Sequence, residues 1–209
     1  MRNRDAKRQA ILDTAYRLFR MQGFDATSVS EITAQVGGSK ATIYSHFPSK
    51  EELFVECMMA AAEDYITGAI AQLDLSGTDP GAVLRHLGSN ILNFGSSSDM
   101  VAVRRLMIAE ATRSGIGKLF FAKLVALRTH VAAFLSRLMS AGALRPADAQ
   151  LAATHLRVLL EAEIIEALLL RARDDIPDEK EIVLAANRAV AAFLRAYAPT
   201  VPEASKINE

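Results

Sequence analysis

The stretch Lys40-Ala41-Thr42-Ile43-Tyr44-Ser45-His46 carries more hydrogen-bonding groups than a core helix tolerates. Only Ala41 and Ile43 in it, and Phe47 after it, are plainly apolar. Lys40, Thr42, Tyr44, Ser45 and His46 can all reach outward. A helix of this kind puts small polar side chains against base edges in a DNA major groove, with Tyr44 and His46 near phosphates. Val36-Gly37-Gly38-Ser39 precedes it and fits the turn of a helix-turn-helix, where glycine permits the tight reversal. Helix starts at Thr27-Ser28 and Ser49-Lys50 would add backbone amides suited to phosphate oxygens. Short amphipathic helices around a glycine turn occur in many helical proteins. The pattern therefore leaves DNA binding and a purely structural role both open.

Other chemistry finds little support. Gly115-Ile116-Gly117-Lys118 resembles the end of a phosphate-binding loop, but that motif needs glycine where Thr112 stands and a hydroxyl where Leu119 stands. A di-iron bundle needs Glu-x-x-His pairs, yet Ile43, Val83, Leu127 and Ala152 stand three before the four histidines. Cys57 is the only cysteine, which excludes an intrachain disulfide and a cysteine zinc site, and its apolar surroundings suit packing better than nucleophilic attack. No Gly-x-Ser-x-Gly elbow occurs. The reading is a non-enzyme with no catalytic residues, no metal and no cofactor.

The elements that must position the polar helix follow from periodicity. Apolar residues recur at helical spacing through most of the 209 residues, and alternating strand-like runs are absent. The fold class is all-α. Nine helices are predicted, over about 5–21, 28–36, 39–46, 49–73, 79–95, 99–113, 117–141, 146–173 and 178–197. Ser49 and Glu52 form the capping box of the fourth, Asp79 and Pro80 start the fifth, and Asp99 caps the sixth. The expected organisation is a helix-turn-helix domain over 1–50, a larger helical domain over 51–198, and a frayed tail over 199–209. Charge follows the same division. Twenty-four basic and 24 acidic residues cancel overall, but residues 1–50 hold eight of the former and four of the latter. A net +4 on the first segment and −4 on the rest suggests that the first meets an anion. Asp5 and Asp13 interrupt any signal-peptide core, and the longest apolar runs are broken by glutamates. A cytoplasmic protein with no membrane partner is expected.

The residues from Ile11 to Phe54 narrow the choice. Ile11-Leu12, Ala15, Leu18-Phe19, Gly23-Phe24, Thr27-Ser28-Val29 and Ile32 lead into Ser39-Lys40-Ala41-Thr42-Ile43-Tyr44-Ser45-His46-Phe47-Pro48-Ser49-Lys50-Glu51-Glu52-Leu53-Phe54. This run closely resembles the DNA-binding domain of the TetR family of transcriptional regulators, most specifically in its Thr-x-Tyr-x-His-Phe-x-Ser-Lys-Glu-x-Leu-Phe string. Two departures bear on which operator is read. Gly38 stands where the family usually has valine, and Ala41 where it often has glycine. The resemblance implies that Lys40 and Thr42 face base edges, and that Thr27, Ser28, Tyr44, His46 and Lys50 hold the DNA backbone. Ser39, Ala41 and Ser45 complete the contact set. Residues Arg105 to Ala111 and Gly142 to Asp148 resemble the AefR-like C-terminal subgroup.

The family also implies a homodimer joined through the last two long helices, a small-molecule effector in a C-terminal cavity, and a double-stranded, palindromic DNA operator. Leu156, Leu160, Ile164 and Leu168, with Phe193 on the last helix, exceed the apolar face that one monomeric helix needs, and are expected in the dimer seam. Met59, Phe94, Met107, Phe121, His130 and His155 are candidate cavity residues. Glu161, Glu163 and Glu166 stand among leucines and isoleucines, either solvated, in dimer salt bridges or partly buried. The function implied is a ligand-responsive regulator, most simply a repressor. The alternative is a helical carrier or scaffold without sequence-specific DNA binding.

Overall fold

Ten helices and no strand make up the described part of this computed structural model, which covers residues 2–73, 79–113, 115–173 and 175–199. They are α1 (Arg2–Ala26), α2 (Val29–Val36), α3 (Lys40–Tyr44), α4 (Lys50–Ala71), α5 (Pro80–Ser96), α6 (Ser98–Glu110), α7 (Ile116–Ser140), α8 (Ala149–Glu161), α9 (Ile165–Leu169) and α10 (Glu179–Tyr197). The break expected at 76–78 and the tail from 200 onward lie outside the described residues.

Side-chain caps set most helix starts, because the first backbone N–H groups of a helix lack internal partners. Asp79 accepts from the amides of Gly81 and Ala82, with Pro80 at the first position of α5. Those amide bonds, before the ion pair with Arg85, hold its carboxyl below the usual range. Asp148 and Asp178 cap α8 and α10 in the same way. Two predicted caps are corrected. Ser97, not Asp99, caps α6, its Oγ accepting from the Met100 amide. Ser49 does accept from the Glu52 amide at 3.0 Å, but the reciprocal box forms in α3, between Ser39 and Thr42.

The predicted helix over 146–173 is two helices. α8 ends at Glu161, a turn intervenes, and α9 begins at Ile165. The interruption turns Ile164, Ile165 and Leu168 into a small core with Leu92, Val101 and Ile182. An arginine then stops α9: Arg105 donates from Nε to the Leu169 carbonyl (3.2 Å) and from its terminal nitrogen to that of Leu168.

Two larger cores divide the chain. One gathers Ile11, Phe19, Phe24, Ile32, Ile43, Phe47 and Phe54, and runs along α4 to Met59 and the inner faces of α6 and α7. The other packs α5, α7, α8 and α10 around Leu84, Leu87, Phe134, Leu135, Leu156 and Phe193. α4 spans both environments. At 1.5 Å per residue its 22 residues reach about 33 Å. By length and composition α7 is apolar enough to cross a bilayer. Here it packs against α4 and α8, and its Lys123 pairs with Glu56.

Candidate nucleic-acid interface and candidate ligand cavity

The polar helix is held from beneath. Phe19, Phe24 and Phe54 form an aromatic trio, with ring centroids 5.0 Å apart for Phe19–Phe54 and 5.2 Å for Phe24–Phe54. Over it lie Ile32 from α2, and Ile43 and Phe47 from α3 and its exit. Gly37 and Gly38 turn the chain between α2 and α3 with φ of 78° and 103°. Two consecutive left-handed residues favour glycine at both places. A Cβ on Gly38 would also stand 3.3 Å from Thr42 Oγ1, so the departure from the family's valine is coupled to the capping box beside it. Lys7 fixes the turn from the other side, donating to the carbonyls of Val36 (3.0 Å) and Gly37 (2.8 Å), where a helix C-terminus attracts a cation.

What remains outward is a small polar surface. Ser39, Lys40, Ala41, Tyr44 and Ser45 are exposed, and Thr42, His46 and Lys50 are half-buried. Four expected contacts meet competing partners. Thr27 is fully buried, and its hydroxyl donates to the Gly23 carbonyl at 2.8 Å. It cannot hold a phosphate, and this expectation is corrected: Thr27 ties the end of α1 back to the kink at Gly23 within it. Thr42 Oγ1 accepts from the Ser39 amide at 3.3 Å, so its hydroxyl closes the box at the start of α3. Lys50 Nζ sits 4.3 Å from the centroid of the Phe24 ring, a cation–π contact at the edge of the core. Ser28 is exposed but caps α2, accepting from the Glu31 amide at 3.1 Å.

Farther from the turn, a cavity of about 110 Å³ lies between α4, α5, α6, α7 and α8, with Ile165 of α9 at its edge. Its wall is apolar, with Met59, Phe94, Met100, Phe120, Leu124 and Leu160 among the lining residues. Phe94 is itself stacked on Tyr65, centroids 4.2 Å apart. The charged side chains on the wall are Arg104, Arg157 and Glu161. Glu161 joins both arginines, Oε1 to Arg104 at 2.5 Å and Oε2 to Arg157 at 2.7 Å.

Met59 and Phe94 are thus on the wall, and the other four candidates are not. Met107 is wholly inside the first core. Phe121 is 62% exposed on the outside of α7, against Arg128. His155 is exposed on α8, with Nδ1 2.7 Å from the Tyr197 hydroxyl, and His130 lies elsewhere on α7 with Nδ1 buried and unpaired. The arginine–glutamate triad is not evident in the sequence. Arg157 and Glu161 four apart among leucines was the available signal; nothing local marks Arg104.

The five predicted dimer residues are corrected as well. Leu156, Leu160, Ile164, Leu168 and Phe193 are all buried within the subunit itself. α8 is enclosed by α7, α10 and α5, so its apolar excess serves the chain's own core. The apolar residues that α8 and α10 leave exposed are Leu151, Val158, Val183 and Leu184.

Residues 11–57 match the bacterial regulatory proteins of the tetR family, and residues 82–199 match the AefR-like transcriptional repressor C-terminal domain. The second match alone covers more than half of the chain. The chain belongs to the TetR family. A TetR-family regulator of Mesorhizobium loti has the same fold, with a TM-score of 0.78 and 27% identity over 93% of this chain and 98% of its own. The flavonoid-responsive regulator FrrA aligns over 94% of this chain and all of its own, with a TM-score of 0.71 and 28% identity. The HTH-type regulator YerO of Bacillus subtilis is 34% identical over 103 residues, 46% of this chain and 34% of its own. The chain spans about a third of the length of the first curated relatives it matches. The TetR family is one of DNA-binding transcriptional regulators.

Proposed function

We propose that the protein is a homodimeric repressor that binds a palindromic operator through α3 and leaves it when a small, largely hydrophobic molecule enters the cavity. The observation that carries this reading is the geometry of α3. Its apolar side is locked into an aromatic core, its start is closed by its own capping box, and Lys40, Ala41, Tyr44 and Ser45 stand exposed together. Lys40 and Ala41, at the first turn of α3, meet base edges; Tyr44, Ser45 and His46 meet the DNA backbone. Net positive charge on the first fifty residues draws the head to DNA and makes binding salt-dependent. The exposed apolar residues Leu151, Val158, Val183 and Leu184 supply the contact between subunits. Two heads related by a dimer axis fit half-sites about 34–36 Å apart, one helical turn of DNA.

Two helices tie the cavity to the head. α4 starts in the head's core at Leu53 and Phe54 and reaches the cavity wall at Met59 and Ile66. α6 carries Arg104 on that wall, pairs Asp99 with Arg20 at 3.3 Å, and is followed by Arg113, which pairs with Asp25 at 2.5 Å. A ligand that bound the DNA-free form 100-fold more tightly would supply about 2.7 kcal/mol to release the operator. FrrA, similar in fold, is named as flavonoid-responsive, and an apolar ring compound suits the wall here.

The test is selection of random duplexes by the purified chain, read by sequencing, with Tyr44→Ala and Lys40→Ala alongside. An enriched palindrome is expected. Tyr44→Ala should weaken operator and random DNA alike, whereas Lys40→Ala should relax sequence choice. Failure to enrich any sequence at low salt would favour the carrier or scaffold reading.

A further inference from the structure

The charges on the cavity wall do not balance. Two guanidinium groups face one carboxylate, and the rest of the lining is uncharged. Each arginine is tied to Glu161 through a single terminal nitrogen. The remaining N–H groups of both forks have no protein acceptor among the described residues. A guanidinium has five donors in a planar fork shaped for a carboxylate. The wall therefore carries a net positive charge and unused donors beside an apolar space.

Glu161 is also a weak partner where it stands. It is the last residue of α8, where the helix dipole disfavours a negative charge. It follows Arg157 by four residues, the poorer of the two orders for an ion pair on a helix. Its side chain is 24% exposed, so it can swing toward water if another anion takes its place.

We infer that the cavity takes a small hydrophobic monocarboxylate, whose carboxylate binds Arg104 and Arg157 in competition with Glu161. This rests on the effector reading above and names the chemical class. The body of the ligand is about one ring in size: a dry apolar cavity of roughly 150 Å³ accommodates benzene, and this one is about 110 Å³. Phe94, Phe120 and Leu124 surround that body. Arg104 lies on α6, so transfer of its partner from Glu161 to the ligand occurs on the helix that also touches the head at Arg20.

Calorimetry on the full chain without DNA tests this with benzoate, 4-ethylbenzoate and hexanoate, against the uncharged 4-ethylbenzamide. The acid should bind at least about tenfold more tightly than its amide, the usual value of a charge-assisted hydrogen bond. Arg104→Met should remove that preference. Glu161→Gln should tighten 4-ethylbenzoate several-fold, because the resident competitor is gone; a misfolded variant could not do that. No binding of any of the three acids, equal binding of acid and amide, or an acid affinity unmoved by Glu161→Gln would overturn the proposal. Operator binding by the same preparation is measured separately. A chain that binds its operator but prefers no acid remains a regulator with a different effector; one that prefers the acid but selects no operator is a carrier.

Discussion

The face on α3 and the cavity differ in how far apart their residues lie in the chain. The outward groups of the proposed DNA-binding face fall within a dozen residues, Ser39 to Lys50, and their conformation is set by neighbours: two glycines with positive φ, a box between Ser39 and Thr42, and a cap at Ser49. The cavity wall draws Met59, Phe94, Arg104, Leu124 and Glu161 from five helices spread over about half the chain. Local chemistry positions the first site and packing of distant helices positions the second. The first should therefore yield to loss of a cap, and the second to changes in the contacts between helices.

The largest expected effect is where the two regions share a helix. Phe54 is fully buried, closes the aromatic trio and lies in the second turn of α4. Phe54→Ala should cost about 3–5 kcal/mol, from lost transfer and the cavity left behind. Chemical denaturation measures it. A loss below about 1 kcal/mol would mean that α4 is not part of the head's core and that the two regions are less joined than the packing implies.

A smaller effect is expected where three helices cross. Gly88 of α5 is buried, and a Cβ there would be 2.9 Å from Leu160 Cδ2 and 3.5 Å from Val190 Cγ2. Replacement by alanine gains helix propensity of about 1 kcal/mol but overpacks a site where strain costs about 1–3 kcal/mol. The net expectation is a loss of about 1 kcal/mol, a fall of roughly 2–4 °C in Tm for a chain of this size. Leu160 also lines the cavity, so ligand affinity should change while DNA binding by the head does not. A change confined to DNA binding would reverse the assignment of the two sites.

The same contrast explains what the sequence made legible. The turn at Gly37-Gly38, the start of α5 at Asp79 and Pro80, and the outward residues of α3 are local, and each follows from residue type and spacing. Thr27 did not, because the same hydroxyl that could reach a phosphate is closer to the Gly23 carbonyl, and only the kink at Gly23 reveals that. Leu156 and Phe193 belong to an apolar set larger than one helix face, which by itself suits a subunit contact equally well. An apolar excess on a helix gives no information on whether a second subunit or three helices of its own chain cover it. Phe121 and Met107 were exchangeable as cavity candidates by composition, yet one is 62% exposed and the other wholly buried. Arg104 carried no local mark at all, since its partner is 57 residues away.

The smallest change in stability should sit beside the clearest change in binding. α3 has five residues and one buried side chain, Ile43, so its first turn depends on the box in which Ser39 Oγ accepts from the Thr42 amide at 3.2 Å. Ser39→Ala removes that cap at a cost of about 0.5–1 kcal/mol, little of it visible in a global melt. The lost cap frees the Thr42 amide, leaves the Thr42 hydroxyl with only the Ser39 amide beside it, and loosens the helix that carries Lys40 and Tyr44. Operator affinity should then fall by a larger factor than stability alone accounts for, while 4-ethylbenzoate binding at the distant cavity stays constant. Ser39→Thr, which keeps a capping hydroxyl, should restore much of the affinity. If Ser39→Ala and Ser39→Thr weaken the operator equally, the hydroxyl acts on a phosphate and not on the helix, and the claim that local capping positions the DNA-binding face loses its main support.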